Sequence, residues 1–328
     1  MNSLKTALLA TMMAGALACS ASTHAAQSTG TFPTKPVRLI VPYPPGGGND
    51  TIARIIGAQL SEIWSQQMII DNRPGANGIV ACQITAAAAP DGYTLLVANV
   101  ATNAINAALY KKLPYEPIKS YAPISLLGST ANFLVVPAAS SAANLNDLVA
   151  LAKKQPGKLT YGSNGIGSSQ HLAGVMFNSA FGTDMIHVPY KGTGPAMVAL
   201  ISNQITMSFA NSLAAVPHIK ANRLKALGVT SLKRSSALPD VPAIAETSPG
   251  FSATSWWGIV APAGTPKVIT ESISKAIRQG LEVASVNEQL HRQGVDPRPM
   301  TPGEFHAFMQ EELVKWSKVV KASGATAD

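Results

Sequence analysis

Apolar strands and amphipathic helices alternate through the first third of this chain, and the alternation constrains the fold more than any other feature. Val37-Arg-Leu-Ile-Val-Pro-Tyr43 is rich in β-branched residues and reads as a buried strand. Ile52, Ile55, Ile56, Leu60, Ile63 and Trp64 then recur at helical spacing, with Arg54, Glu62 and Gln66 on the other faces. Met68 to Ile70 is a second strand, Ile79 to Ala89 a helix stopped by Pro90-Asp-Gly92, and Tyr93 to Val100 a third strand. The order βαβαβ predicts a parallel, doubly wound sheet. The pattern restarts at Phe133 to Pro137. Helices follow at Leu145 to Lys154, Ser168 to Ala180 and Pro195 to Ser202, and strands at Leu159 to Ser163, Ile186 to Tyr190, Ile205 to Ala210 and Ala226 to Thr230. An apolar strand, Trp257 to Pro262, precedes two or three C-terminal helices. A chain of 328 residues exceeds what one core usually carries. The expectation is an α/β protein of two doubly wound domains. Ala122 to Thr130 and Phe251 to Trp257 look like connecting strands, so the second domain (131–253) is inserted into the first (32–130 plus 254–328).

The N-terminus reads as an export signal over residues 1–25. Lys5 supplies the positive charge, Thr6 to Ala18 is apolar but too short to span a bilayer, and Thr23-His24-Ala25 offers small residues for cleavage. Ala16-Leu17-Ala18-Cys19 is a rival, resembling a lipoprotein box without its usual leading Leu. The mature chain is expected to be soluble and exported. With Cys19 cleaved off or lipidated, Cys82 has no disulfide partner and reads as a buried small hydrophobe. The net charge of +8 comes from scattered cations with few interleaved aromatics, which points away from nucleic acid. No His-Glu-x-x-His or Cys-x-x-Cys spacing exists, so neither a metal nor a cofactor is expected.

Pro44-Pro-Gly-Gly-Gly-Asn-Asp50 lies between the first strand and the first helix. A nucleotide P-loop needs Gly-Lys-Ser/Thr where Asn49-Asp50-Thr51 stands, and a dinucleotide fingerprint needs a glycine where Thr51 stands. A simple turn with Asn49 or Asp50 as N-cap explains one glycine. Gly46, Gly47 and Gly48 together leave a run of uncovered N–H groups at a helix N-terminus, which is an anion site. Tyr161-Gly-Ser-Asn-Gly-Ile-Gly-Ser-Ser169 repeats the arrangement at the restart, with Ser168 and Ser169 as candidate N-caps and His171 in the first helical turn. Around Ser163 the Gly-x-Ser-x-Gly elbow of an exported hydrolase is missing, so no catalytic residue is assigned. Ligands bind at the carboxyl ends of strands in such sheets, so the two loops are expected to face each other across an interdomain cleft.

Val41-Pro-Tyr-Pro-Pro-Gly-Gly-Gly-Asn-Asp-Thr-Ile-Ala-Arg54 resembles the first loop and helix of the Bug receptors, the periplasmic solute-binding proteins of tripartite tricarboxylate transporters. Asp71-Asn-Arg-Pro-Gly-Ala-Asn-Gly78, Pro90-Asp-Gly-Tyr-Thr-Leu-Leu96, Ala108-Leu-Tyr-Lys-Lys-Leu-Pro-Tyr115, His187-Val-Pro-Tyr-Lys-Gly-Thr-Gly-Pro195, Ala237-Leu-Pro-Asp-Val-Pro242 and Ala261-Pro-Ala-Gly-Thr-Pro266 follow in the family's order. The resemblance implies a Venus-flytrap receptor, not an enzyme, that grips a small mono- or dicarboxylate, aliphatic or aromatic, largely by backbone N–H groups. Carried over, the gripping loops are Tyr43 to Asp50 and Ser163 to Ser169, joined by Val100, Ala101, Thr102 and Asn103, by Tyr190 and Asn211, and by Ser255-Trp256. Asn164, Thr102, Asn103 and Asn211 would offer neutral donors, Ile166 an apolar wall, Gly167 bare backbone, and Lys191 the nearest cation. The implied partners are membrane permease subunits or a sensor kinase, and the expected state is a monomer. A sensing receptor or lipoprotein without a transport role stays open.

Overall fold

The chain builds two β-sheets, each flanked by helices. The computed structural model describes residues 32–190 and 193–327, and of Leu213 the backbone only. Residues 1–25, including Lys5 and Cys19, and Lys191 lie outside the described residues. Residues 35–328 form one unit. Its strands among the described residues are β1 (Val37–Val41), β2 (Met68–Asn72), β3 (Thr94–Asn99), β4 (Tyr121–Thr130), β5 (Asn132–Pro137), β6 (Thr160–Ser163), β7 (Ile186–Pro189), β8 (Met207–Asn211), β9 (Leu224–Val229), β10 (Ser255–Pro262) and β11 (Asp296–Pro297). The first sheet has the order β11-β4-β10-β3-β1-β2 and the second β7-β6-β8-β5-β9.

Both sheets are mixed: the parallel pairs that the alternation predicts are joined by reversed strands. β1 runs parallel to β2 and β3, and β6 parallel to β7 and β8. β10 is antiparallel to β3 and β4, and β5 antiparallel to β8 and β9. The reversed strands adjoin the points where the chain changes sheets. Only Ala131 separates β4 from β5, and the chain returns to the first sheet at β10. The two crossings are tied together. Asn132 N donates to Thr230 Oγ1 at 2.9 Å, and Thr230 Oγ1 and Asn132 Nδ2 both donate to Ala253 O, at 2.9 and 3.2 Å.

Packing explains the elements that the pattern predicts. β1 is almost wholly buried, as a central strand covered on both faces must be. Helix Gly48–Trp64 turns Ile52, Ile55, Ile56 and Leu60 inward and ends in left-handed Ser65. Cys82 is buried and has no disulfide partner among the described residues, and burial pushes its thiol up to about 11. Among the elements that escaped the sequence reading are the helical stretch from Ala101 to Leu109, and helix Ser212–Lys220, which carries Pro217 inside it. Among the described residues no helix is long and apolar enough to cross a membrane.

Candidate functional site

Four helix N-termini converge on one cavity of about 600 Å³. The helices are Gly48–Trp64, Ser169–Phe181, Thr193–Ile201 and Ser212–Lys220, and Gly48, Ser169, Thr193 and the N-cap Asn211 all line the cavity. The first belongs to the half built on the first sheet, the other three to the half built on the second. No charged side chain is among the described residues that line it. Its positive potential comes from aligned peptide dipoles and open N–H groups.

The glycine loop is held from behind. Gly46 has φ of +86°, a left-handed conformation that favours glycine. Its N–H donates to Asp50 Oδ2 at 2.9 Å, where Arg54 Nε also donates, and Asn72 Nδ2 donates to Asp50 Oδ1 at 3.0 Å. The Arg54 hydrogen bond is the main reason that the buried Asp50 carboxyl sits below the usual carboxylate range. Neither Asn49 nor Asp50 is the N-cap. Gly47 holds that position, in extended backbone and with no side chain capping the helix. Asp50 folds back onto Gly46 and Arg54 instead. Among the described residues no hydrogen bond takes up the N–H groups of Gly47, Gly48 or Asn49. The N–H groups that this loop leaves open are therefore those of Gly47 to Asn49, with Gly46 as a strut. Asn49 Oδ1 accepts from Asn99 Nδ2 at 3.1 Å, and Tyr43 Oη donates to Asn77 Oδ1 at 3.0 Å, so the loop's flanks are fixed too.

The second loop uses its glycines differently. Gly165 N donates to Ser163 Oγ at 3.1 Å and Gly167 N to His171 Nδ1 at 3.2 Å. Ser168 is the N-cap, accepting from His171 N at 3.2 Å and donating to Gly165 O at 2.7 Å. The uncovered donors are those of the first helical turn, Ser169 N and Gln170 N, which no hydrogen bond among the described residues takes up. Ser169 Oγ meets Ser255 Oγ at 3.0 Å.

Of the residues singled out in the sequence, Tyr43, Gly46, Gly47, Gly48, Asn49, Ala101, Asn164, Ser168, Ser169, Asn211 and Trp256 line the cavity. Asp50, Thr102, Ser163, Ile166, Gly167, His171 and Tyr190 do not. Thr102 is buried, its hydroxyl donating to Asn103 Oδ1 at 2.7 Å. Ile166 is 56% exposed and is not among the residues lining this cavity. Gly167 packs so closely on Leu109 that a Cβ would fall 2.3 Å from Leu109 Cδ2. Tyr190 packs against the core of the second sheet. The Trp256 side chain is fully buried, its indole N–H donating to Glu312 Oε2 at 2.9 Å. Asn77, Asn99, Thr130, Gln170, Thr193 and Trp257 also line the cavity and were missed. Asn99 ends β3, where the strand-end rule points; Thr130 carried no signal, because β4 joins the sheet out of sequence order.

Behind the second loop Ser163, His187 and His171 form a closed cluster. Ser163 Oγ lies 2.6 Å from His187 Nε2, and the two imidazoles stack at 3.9 Å. Burial, aided by the charge of His171, holds His187 down to about 4, and burial also lowers His171. Ser163 has 0% exposure, so its hydroxyl faces protein and not the cleft.

Two mixed sheets with paired crossings and a dipole-lined cavity define a two-domain periplasmic-binding-protein fold. Residues 52–325 match the family described as the tripartite tricarboxylate transporter family receptor, and the chain belongs to that family of solute-binding receptors. A protein encoded in the tcbD-tcbE intergenic region of Pseudomonas sp. strain P51 is 36% identical over 93% of this chain and 91% of its own. Protein BugT of Bordetella pertussis is 34% identical over 95% of this chain and 96% of its own. Among solved structures, R. palustris Rpa4515 with adipate superposes with a TM-score of 0.81 at 32% identity, covering 90% of this chain and 99% of that one. Periplasmic binding protein BugD gives 0.77 at 30% identity, over 90% and 99%. MatC from Rhodopseudomonas palustris with bound malate gives 0.76 at 32% identity, over 88% and 100%.

Proposed function

We propose that this protein captures a small organic carboxylate in the cavity between the two sheets and delivers it to a tripartite tricarboxylate-type permease. The convergence of four helix N-termini on a cavity without charged side chains carries the reading. Open N–H groups and dipoles favour an anion, and neutral donors let it go again. The carboxylates bound by the two palustris relatives, adipate and malate, support the ligand class. One carboxylate meets Gly47, Gly48 and Asn49 from one side and the first turn at Ser169 from the other, directly or through water. Sheet membership supports the division into 32–130 plus 254–328 and 131–253, with a hinge at Ala131 and ahead of β10. Residues 1–25 serve export, and the receptor works as a monomer.

Hydrolysis at Ser163 is set aside. Its hydroxyl is inaccessible, and its contact with His187 braces the loop. A thermal-shift panel of mono- and dicarboxylates, amino acids, neutral sugars and cations tests the reading. A carboxylate at a hundred times its Kd adds about 2.7 kcal/mol of stability. Stabilisation by a neutral sugar or a cation, and by no carboxylate, would overturn it.

A further inference from the structure

A second cavity, of about 800 Å³, opens on the glycine loop and is larger than the cleft. It shares Gly46, Gly47, Gly48, Thr193 and Asn211 with the cleft, so the same backbone bounds both. The rest of its wall divides in two. Met197, Val198, Ile201, Ala214 and Pro217 make it aliphatic, and Val198 is 67% exposed, a large apolar side chain left facing solvent. His218 and Arg223 make the remainder basic. Burial and the neighbouring Arg223 charge lower the pKa of His218, so at neutral pH the cation here is Arg223. Among the described residues Arg38, Arg54, Arg73, Arg234 and Arg292 each pair with a carboxylate, whereas Arg223, like Arg278 and Arg298, enters no ion pair; of these three only Arg223 lines the cavity.

We propose that this chamber takes the methylene tail and terminal carboxylate of an elongated α,ω-dicarboxylate whose other carboxylate sits in the cleft. The inference rests on the carboxylate reading of the cleft and extends it to the length of the ligand. The two ends meet different chemistry: open N–H dipoles at the glycine loop, and an unpaired guanidinium beyond an aliphatic wall. A chain passing the loop buries its methylenes on Val198 and Ile201, and each methylene fully removed from water strengthens binding about fourfold. A guanidinium gives the second carboxylate a charge-assisted hydrogen bond.

Calorimetric titration of linear dicarboxylates from succinate to sebacate, into the wild type, Arg223→Gln and Val198→Trp, tests the assignment. Both residues are exposed and outside the cleft lining, so both variants keep the fold. The wild type is expected to bind sebacate more tightly than succinate. Arg223→Gln should weaken sebacate by at least about tenfold and leave succinate unchanged. Val198→Trp, which adds bulk to the aliphatic wall that the methylenes would pass, should do the same. Equal losses for both acids, unchanged sebacate binding in both variants, or a wild type that binds succinate but not sebacate overturns the chamber and leaves the cleft reading standing. A wild type that binds no dicarboxylate or monocarboxylate overturns both.

Discussion

Gly47 carries the residue-scale claim most cleanly, because its N–H can be removed with little else changed. Its φ of −88° lies near proline's range, and an added Cβ would come no nearer than 3.9 Å to any neighbour, Pro44 O. Gly47→Pro should lower carboxylate affinity roughly 10- to 150-fold, the worth of a hydrogen bond to a charged group. Gly47→Ala, which keeps the donor, should stay within about twofold. Equal affinity of the two variants by calorimetry would remove this N–H from the site. His187 gives a second expectation. Folding lowers its pKa from 6.5 to about 4, so the unfolded chain binds the extra proton between those values. Its contribution is complete above pH 6.5 and is lost as pH falls toward 4, at most about 1–2 kcal/mol by pH 5 for a ring that solvent partly screens. His187→Asn should shrink the difference in urea stability between pH 7 and pH 5, and an undiminished difference would contradict the assignment. The bare loops could be seen in the sequence because three glycines in a row have no ordinary structural use. Which N–H groups stay open could not be seen. Gly46, Gly165 and Gly167 are taken up by Asp50, Ser163 and His171 through side-chain contacts that no spacing rule encodes.

Among the elements, the C-terminal helix Pro302–Ser323 is bound to the cleft through one buried carboxylate. Glu312 Oε2 accepts from the indole N–H groups of Trp256 and Trp316, at 2.9 and 2.8 Å, and Lys315 pairs with its other oxygen. Trp256 sits beside Ser255 at the start of β10, where the chain re-enters the first sheet. Glu312→Ala leaves two buried indole donors without an acceptor and should cost roughly 2–4 kcal/mol, with a smaller loss for Glu312→Gln, which can still accept. Urea denaturation measures both; a loss under about 1 kcal/mol would show that water replaces the carboxylate. Glu312 drew no notice in the sequence, being one acid on a helical face that otherwise reads as solvated. Strands such as β1 and helices such as Leu145–Lys154 were readable because apolar period and stop signals agree there. Helix Ser212–Lys220 was hidden by Pro217, normally a breaker. The reversed direction of β5 and β10 was hidden because alternation reports that strands exist, not which way they run.

At the scale of the molecule, two sheets joined through adjacent crossings, with binding groups on both, should close around the ligand by a hinge. Small-angle scattering should show a smaller radius of gyration with saturating carboxylate than without; identical profiles would argue for a rigid receptor. The doubling of the βα pattern made the two-sheet plan readable from the chain alone, while the second cavity, formed by residues from 46 to 223, emerges only once the halves are assembled. The central claim is that an anion is held by backbone dipoles of two opposed helix N-termini, without a cationic side chain in the cleft. A crystal structure with the best carboxylate from the thermal-shift panel tests it most directly. The account predicts a carboxylate oxygen about 2.7–3.2 Å from the nitrogen of Gly47, Gly48 or Asn49, or one ordered water away, with Ser169 N or Gln170 N contacting the same group. A carboxylate held in the cleft by an Arg or Lys side chain, or bound away from both N-termini, would contradict it.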